Sequence, residues 1–205
     1  MINNRGDFGR FYYFRAMYNQ TLPIILASKS PRRQELLKSM NLDFQVMLKE
    51  VDESFPEGLL PSEIAVHIAE KKAIAFIAQS MDHIVITADT IVAFNDEILG
   101  KPRDAEHAKQ ILQKLSGNQH QVYTGVSISY NGNTSSFYDL TEVFFNRLTL
   151  EQIEHYIINY HPFDKAGAYG IQDWIGLIGV EKIIGSYTNV MGLPTEKLYQ
   201  ALMSV

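Results

Sequence analysis

Cysteine is absent from the 205 residues, which excludes disulfides, thiolate zinc sites and cysteine nucleophiles and fits a reducing compartment. No apolar run approaches the roughly 18 to 20 residues that a membrane helix needs. The first twenty residues also lack the continuous apolar core of a signal peptide, so the expectation is a cytoplasmic protein with no membrane partner. Basic charge is scarce as well. Eighteen Lys and Arg against 23 Asp and Glu leave a formal charge of -5 with no long basic run, which argues against binding nucleic acid polymers. An anionic ligand would have to be met locally, by a few placed cations. None of the six histidines forms a chelating pair at metal-ligand spacing. No Gly-rich run ends in Gly-Lys-Ser/Thr, which argues against a P-loop ATPase, and there is no internal repeat or low-complexity tract.

What is present suits one sizeable domain: 46% of residues are apolar and 20% charged. Residues 1–20 mix Asn, Arg and Gly with the aromatic cluster Phe11 to Phe14 without a clean period; they read as an extension, with 21–205 as the domain. The strongest local pattern follows at once. Ile24-Ile25-Leu26-Ala27-Ser28-Lys29-Ser30-Pro31-Arg32-Arg33 predicts strand, short loop and helix, with Ser30 as N-cap and Pro31 in the first helical position. Arg32 and Arg33 then fall in a first turn whose unpaired N–H groups and macrodipole favour anions. Each misplaced cation costs about 0.3–1 kcal/mol there, and a bound phosphate would reverse the sign. Helix N-terminus and two guanidiniums together make a cradle for a polyphosphate.

Further along, Phe44 to Leu48 predicts a strand that leads to the carboxylates Asp52 and Glu53, and Ser62 to Gln79 a helix with Ile64, Ile68, Phe76 and Ile77 on its apolar stripe. Lys72 shares that stripe. A lysine so placed either snorkels to water along its apolar stem or reaches into a cleft. His83 to Thr90 reads as an apolar strand ending at Asp89, the leading catalytic candidate, and a hairpin through Asn95-Asp96 returns Gly100-Lys101-Pro102 to the same region. Asp104 can cap a helix stopped by Ser116-Gly117. Alternating runs at 120–130 and 136–145 flank Asn131-Gly132 and predict a long two-stranded arm. Thr149 and Gln152 form a capping box for a helix with Ile153, Tyr156 and Ile157 inward, closed by His161-Pro162. The small residues between Asp164 and Gln172 allow close backbone approach to a ligand. A strand over Leu177 to Ile184, a loop with Asn189 and Gly192, and a helix opened by Pro194 complete the chain.

Taken in order, Ser28-x-Ser30-Pro31-Arg32-Arg33, Asp52-Glu53, Lys71-Lys72-Ala73, Ala88-Asp89-Thr90, Gly100-Lys101-Pro102, Leu115-Ser116-Gly117, Thr124-Gly125, Asp164 to Gln172 and Gly192-Leu193-Pro194 resemble the Maf family of nucleoside triphosphate pyrophosphatases, the septum-formation-inhibitor-like proteins. The resemblance runs from about Leu22 to Leu202 and departs at Lys29, where Gly or Gln is commoner, and at Asp173, where Gly usually follows the Gln. It implies an α/β fold, with a mixed twisted sheet flanked by helices in two lobes around a central cleft, like that of the inosine-triphosphate pyrophosphatases. It also implies a homodimer and hydrolysis of a nucleoside triphosphate to monophosphate and pyrophosphate with Mg²⁺ or Mn²⁺. Carried over residue by residue, Asp89 would be the proton acceptor, with Glu53 a further acidic group, and the two would hold the metal. Ser30, Arg32, Arg33, Lys72, Lys101 and Lys165 would bind phosphates, and Arg32, Thr90 and Gln172 would set substrate choice. The stretch Ala168 to Gln172 looks like the subgroup acting on dTTP and UTP.

The chemistry asks for this kit: phosphoanhydride hydrolysis is mostly positioning and charge stabilisation on phosphate oxygens. A Gln172 amide could accept from the ring N3–H of uracil or thymine and donate to a neighbouring carbonyl, or it could simply bond backbone in a tight loop. Two other readings stand beside this one. One is a house-cleaning pyrophosphatase for modified nucleotides, the other a nucleotide-binding regulator of cell division without turnover. Carboxylates set among cations favour catalysis over simple binding.

Overall fold

Ile24–Leu26 forms strand β1, buried along its whole length, as expected of a continuous apolar run between two parallel neighbours. Those neighbours are β2 (Phe44–Val46) and β3 (Ile84–Phe94). On its other edge β3 pairs antiparallel with β5 (Gln119–Tyr130), and its far end pairs with β4 (Glu97–Leu99). β6 (Asn133–Phe145) and β7 (Val180–Ile184) continue the antiparallel half, giving one seven-stranded mixed sheet in the order β2-β1-β3-β5-β6-β7 with β4 beside β3. This computed structural model describes residues 22–95 and 97–205; the extension expected over 1–20 lies outside the described residues, as does Asp96 of the turn after β3. Among the described residues no helix is long and apolar enough to cross a membrane.

Among the described residues seven α-helices flank the sheet: α1 (Pro31–Ser39), α2 (Pro61–Ile74), α3 (Ala105–Leu115), α4 (Leu150–Tyr160), α5 (Trp174–Gly179), α6 (Tyr187–Met191) and α7 (Thr195–Leu202). The two largest apolar clusters they enclose are separate. Leu37, Leu198 and Leu202 pack with Ile24, Leu26, Ile86 and Val126, whereas Leu112, Leu115, Ile153, Tyr156 and Ile175 pack with Val92, Val122 and Phe145. β3 and β5 thread both clusters, so each lobe has its own core while the sheet is common to both. Asp89 and Thr90 lie on β3 between the two.

A third contact fixes α2 across the sheet. Ile64, Ala65 and Ile68 pack on Ile91, and the Thr87 hydroxyl donates to the carbonyl of Ala69 at 2.7 Å. The approach is closest at Gly125, which is paired with Asp89 across the strands; a Cβ there would stand 2.3 Å from the Ala65 carbonyl carbon and oxygen. Glycine is therefore what lets α2, and the lysine it carries, sit beside Asp89.

Several local expectations need correction. α2 ends at Ile74 rather than running to Gln79, because the amides of Phe76 and Ile77 bond back only three residues, to Ala73 and Ile74; Phe76 is buried but Ile77 is 49% exposed and off the core stripe. Asp89 is not at a strand end: pairing with β5 carries β3 on to Phe94, well beyond its parallel pairing with β1. The hairpin of β5 and β6 is no free arm but the interior of the sheet, and its second strand starts at Asn133, directly after Asn131 and Gly132 at φ 49 and 74. The strand expected from Leu177 begins only at Val180. Before it the chain turns through α5, whose Gly176 and Leu177 amides bond the Asp173 carbonyl. The expected loop around Asn189 contains α6, capped by Ser186 and closed by Gly192 at φ 110.

Candidate active site

The loop between β1 and α1 is held together by hydroxyls. Ser30 Oγ accepts from the Arg33 amide at 3.5 Å, and Ser28 Oγ accepts from the Ser30 amide at 3.2 Å and from Arg33 Nη1 at 3.3 Å. The Arg33 guanidinium also donates from Nε to the Gly192 carbonyl at 2.7 Å and from Nη2 to Thr90 Oγ1 at 3.0 Å. Burial lowers its pKa, and neighbouring Arg32 adds to that against the attraction of Asp89. Three of its five N–H groups are thus spoken for, and two remain for a ligand. Thr90 Oγ1 lies 3.0 Å from Thr124 Oγ1, which bonds the Asn189 carbonyl, so one hydroxyl chain ties β3, β5 and α6 behind the arginine.

Arg32 points elsewhere. Its Nη1 donates to Asp164 Oδ2 at 3.1 Å, and Lys165 Nζ reaches the other oxygen at 2.7 Å. Burial pushes the Asp164 carboxyl up, but Lys165 and Arg32 outweigh that and leave it below its ordinary value. On the other wall Lys72 Nζ stands 2.7 Å from Asp89 Oδ1 and 2.7 Å from Glu53 Oε1. Its side chain is 15% exposed, so the ammonium reaches into the cleft instead of snorkelling out. Burial raises the Glu53 carboxyl, yet hydrogen bonding and charge from Lys72, with Lys101 and Arg33 behind it, bring it below the usual range. Lys101 is exposed and makes no ion pair among the described residues.

Gln172 ends in a network that adjoins this cluster, since Lys165 Nζ also lies 3.9 Å from Asp173 Oδ2. Its Nε2 donates to Asp173 Oδ1 at 3.0 Å, Tyr156 Oη donates to Asp173 Oδ2 at 2.6 Å, and Tyr156 Oη accepts from the Gly170 amide at 3.0 Å. Gln172 Oε1 is closed to solvent and has no partner among the described residues. An acceptor left in that state costs about 1–3 kcal/mol, which an N–H would recover once a local shift opened the oxygen to it.

All ten residues singled out in the sequence, Ser30, Arg32, Arg33, Glu53, Lys72, Asp89, Thr90, Lys101, Lys165 and Gln172, line one cleft of about 850 Å³. That volume suits a nucleotide-sized ligand. Seven cationic side chains face five carboxylates there, so in a chain of net charge -5 the local charge of the cleft is positive. Val92, Val122, Tyr169 and Met191 supply apolar lining. Sequence reasoning did not assign roles to Ser28, Asp164, Asn189 and Gly192. Ser28, Asp164 and Gly192 lie inside recognisable motifs, whereas Asn189, like the Gly192 carbonyl that Arg33 holds, matters through contacts with residues far away in the chain.

Asp89 and Glu53 approach one point from a strand and a loop, and Lys72 shows that the point favours positive charge. No group of three or more His, Cys, Asp or Glu suited to a metal occurs among the described residues. Two carboxylates fit Mg²⁺ or Mn²⁺ in the manner usual for nucleotide enzymes, where waters and substrate phosphates complete the shell.

A family model described as "Maf-like protein" matches residues 23–205. Curated relatives named "dTTP/UTP pyrophosphatase" include one from Flavobacterium psychrophilum, 50% identical with 88% of this chain and 93% of the relative covered. The one from Cytophaga hutchinsonii is 50% identical, with 87% and 82% covered, and the one from Bacteroides thetaiotaomicron 47%, with 87% and 94%. Among solved structures, a HAM1 protein from Coxiella burnetii aligns with a TM-score of 0.49 at 14% identity, covering 90% of this chain and 100% of that one.

Proposed function

The chain belongs to the Maf-like family, and we propose on that premise that it hydrolyses nucleoside triphosphates, dTTP and UTP foremost, to the monophosphate and pyrophosphate. Relatives that share about half of its residues carry that activity in their name. The observation that carries the reading to particular residues is the convergence, in one cleft, of two carboxylates with cations from both lobes.

In this reading the triphosphate lies across the N-terminus of α1. Ser30, Arg32 and the two spare N–H groups of Arg33 grip it on one side, and Lys101 and Lys165 reach it from the other lobe. A water oxygen bonds to phosphorus as the bridging P–O bond of the α–β anhydride breaks and pyrophosphate departs. Asp89 takes the proton of that water, and Lys72, 2.7 Å from both Asp89 and Glu53, holds the two carboxylates in place and offsets charge on the phosphate oxygens. A divalent cation held by Asp89, Glu53 and the phosphates would make the attacking water more acidic. Gln172 meets the Watson–Crick edge of the base, accepting from N3–H and donating to the adjoining carbonyl.

The direct test is pyrophosphate release over a panel of ordinary, methylated and deaminated triphosphates, with Mg²⁺, Mn²⁺ or chelator. Release in large excess over enzyme, fastest with dTTP and UTP and abolished by chelator, is expected. Stoichiometric nucleotide binding without release would replace the enzyme with a binding protein, and faster turnover of a modified base would replace the substrate.

A further inference from the structure

We infer that Asp173 is a positioning residue: it fixes which way the Gln172 amide faces and so makes the cleft discriminate uracil and thymine from cytosine. The inference rests on the nucleotide reading proposed above. A primary amide is nearly symmetric in shape but opposite in hydrogen-bonding sense on its two sides, and half a turn about its last torsion exchanges oxygen for NH₂. Uracil and thymine present an N3–H beside a carbonyl. Cytosine presents a bare N3 beside an amino group. A freely turning glutamine would pair with either base by turning over, and would separate them poorly.

Here it is not free to turn. The Asp173 carboxylate accepts hydrogen bonds but cannot donate, and it holds Gln172 Nε2 at 3.0 Å; turning the amide over would put Oε1 against a carboxylate oxygen. Asp173 is itself clamped by the Tyr156 hydroxyl at 2.6 Å, and that hydroxyl is fixed in turn by accepting from the Gly170 amide at 3.0 Å. Burial, then the bond to Asp173, raises the Tyr156 pKa and keeps it a donor. The absence of a side chain at Gly170 makes room for the assembly, since a Cβ there would lie 2.6 Å from Asp173 Oδ2 and 2.7 Å from Gln172 Nε2. What the amide has left is the second hydrogen of Nε2 and the unpartnered Oε1, which is closed to solvent and meets a base as the surrounding loop yields to it. That pair complements N3–H and a carbonyl, and mismatches cytosine at both atoms.

Asp173→Asn tests this, because an asparagine amide can offer either oxygen or NH₂ to Gln172 and so permits both orientations. The readout is the ratio of kcat/KM for UTP to that for CTP, with thermal melting to establish folding. A fall in the ratio of about tenfold or more is expected, arising mainly from improved CTP turnover. Tyr156→Phe keeps the carboxylate but removes its clamp, and a smaller fall in the same direction is expected; it carries the test if Asp173→Asn does not fold. A folded variant with the wild-type ratio, or with UTP and CTP turnover reduced in equal proportion, overturns the inference and leaves the proposed function standing. Wild-type protein that releases no pyrophosphate from UTP, or that prefers CTP, overturns the proposed function and this inference with it.

Discussion

The ammonium of Lys72 lies 2.7 Å from the Asp89 carboxylate, joining the last turns of α2 to the middle of β3. Both side chains are only 15% exposed, and Glu53 approaches the same ammonium from a loop. Removing one carboxylate therefore leaves the lysine with the other, so the fold should survive changes at Asp89.

Asp89→Asn is expected to lower kcat by about 100-fold or more, the range for loss of a positioned proton acceptor. Its melting temperature should stay close to that of the wild type. Pyrophosphate release and circular dichroism check both. Near-normal turnover in the folded variant would move the role to Glu53.

The neighbours Arg32 and Arg33 should part company on mutation. Arg33→Ala strands the buried Gly192 carbonyl and breaks the bonds to Ser28 and Thr90, a loss of about 2–3 kcal/mol and a melting temperature lower by roughly 4–12 °C. Arg32→Ala breaks a bond to a 57%-exposed carboxylate, worth about 1 kcal/mol at most, so its effect should fall on KM for the triphosphate. Calorimetry and steady-state kinetics on the two variants separate them; equal stability losses would contradict the assignment.

At Gly125 the smallest addition should be harmful. The new methyl of Gly125→Ala would meet the backbone of Ala65 and Val66, which cannot yield as a flexible side chain would. A destabilisation of about 1–3 kcal/mol or more is expected, with activity lost as α2 moves Lys72 away from Asp89. Urea titration with the activity assay gives both numbers, and unchanged stability would show that α2 can be displaced freely.

His120 sets part of the acid limb of stability. Burial lowers its pKa from 6.5 to about 3, while Nε2 contacts Tyr169 Oη at 2.7 Å and Nδ1 is unpartnered among the described residues. Between those values the unfolded chain binds a proton that the folded chain refuses, so stability falls as pH falls, by up to about 1.4 kcal/mol per unit. The lowered carboxyls of Glu53 and Asp164 add their losses only below about their ordinary values of 4.5 and 3.8. His120→Gln should accordingly flatten the dependence between pH 6.5 and 4.5, measured by denaturant unfolding at several pH values. An unaltered slope would rule out this source.

Local chemistry made part of this legible from residues alone. Ser30 and Pro31, Asp104, the Thr149–Gln152 box and Asn131-Gly132 specify their elements through interactions within a few residues, and each element is where those signals place it. The misplaced cations after Ser30 pointed to the cleft for the same reason. Boundaries failed where a distant partner decides them: β5 prolongs β3 past Asp89, and the turn at Asp173 diverts the chain into α5 before β7 can start. Thr90 and Gln172 were assigned by resemblance, but the hydroxyl chain behind Thr90 and the clamp on Gln172 are tertiary and leave no local mark.

The bond from Arg33 to the Gly192 carbonyl spans 159 positions. Such a link cannot form before residue 192 has left the ribosome, however early β1 and α1 take shape. A nascent chain would therefore carry the proposed phosphate cradle unfinished, and nucleotide should begin to protect it only after residue 192 has emerged, so ligand protection would report that β1, α1 and the Gly192 turn have come together.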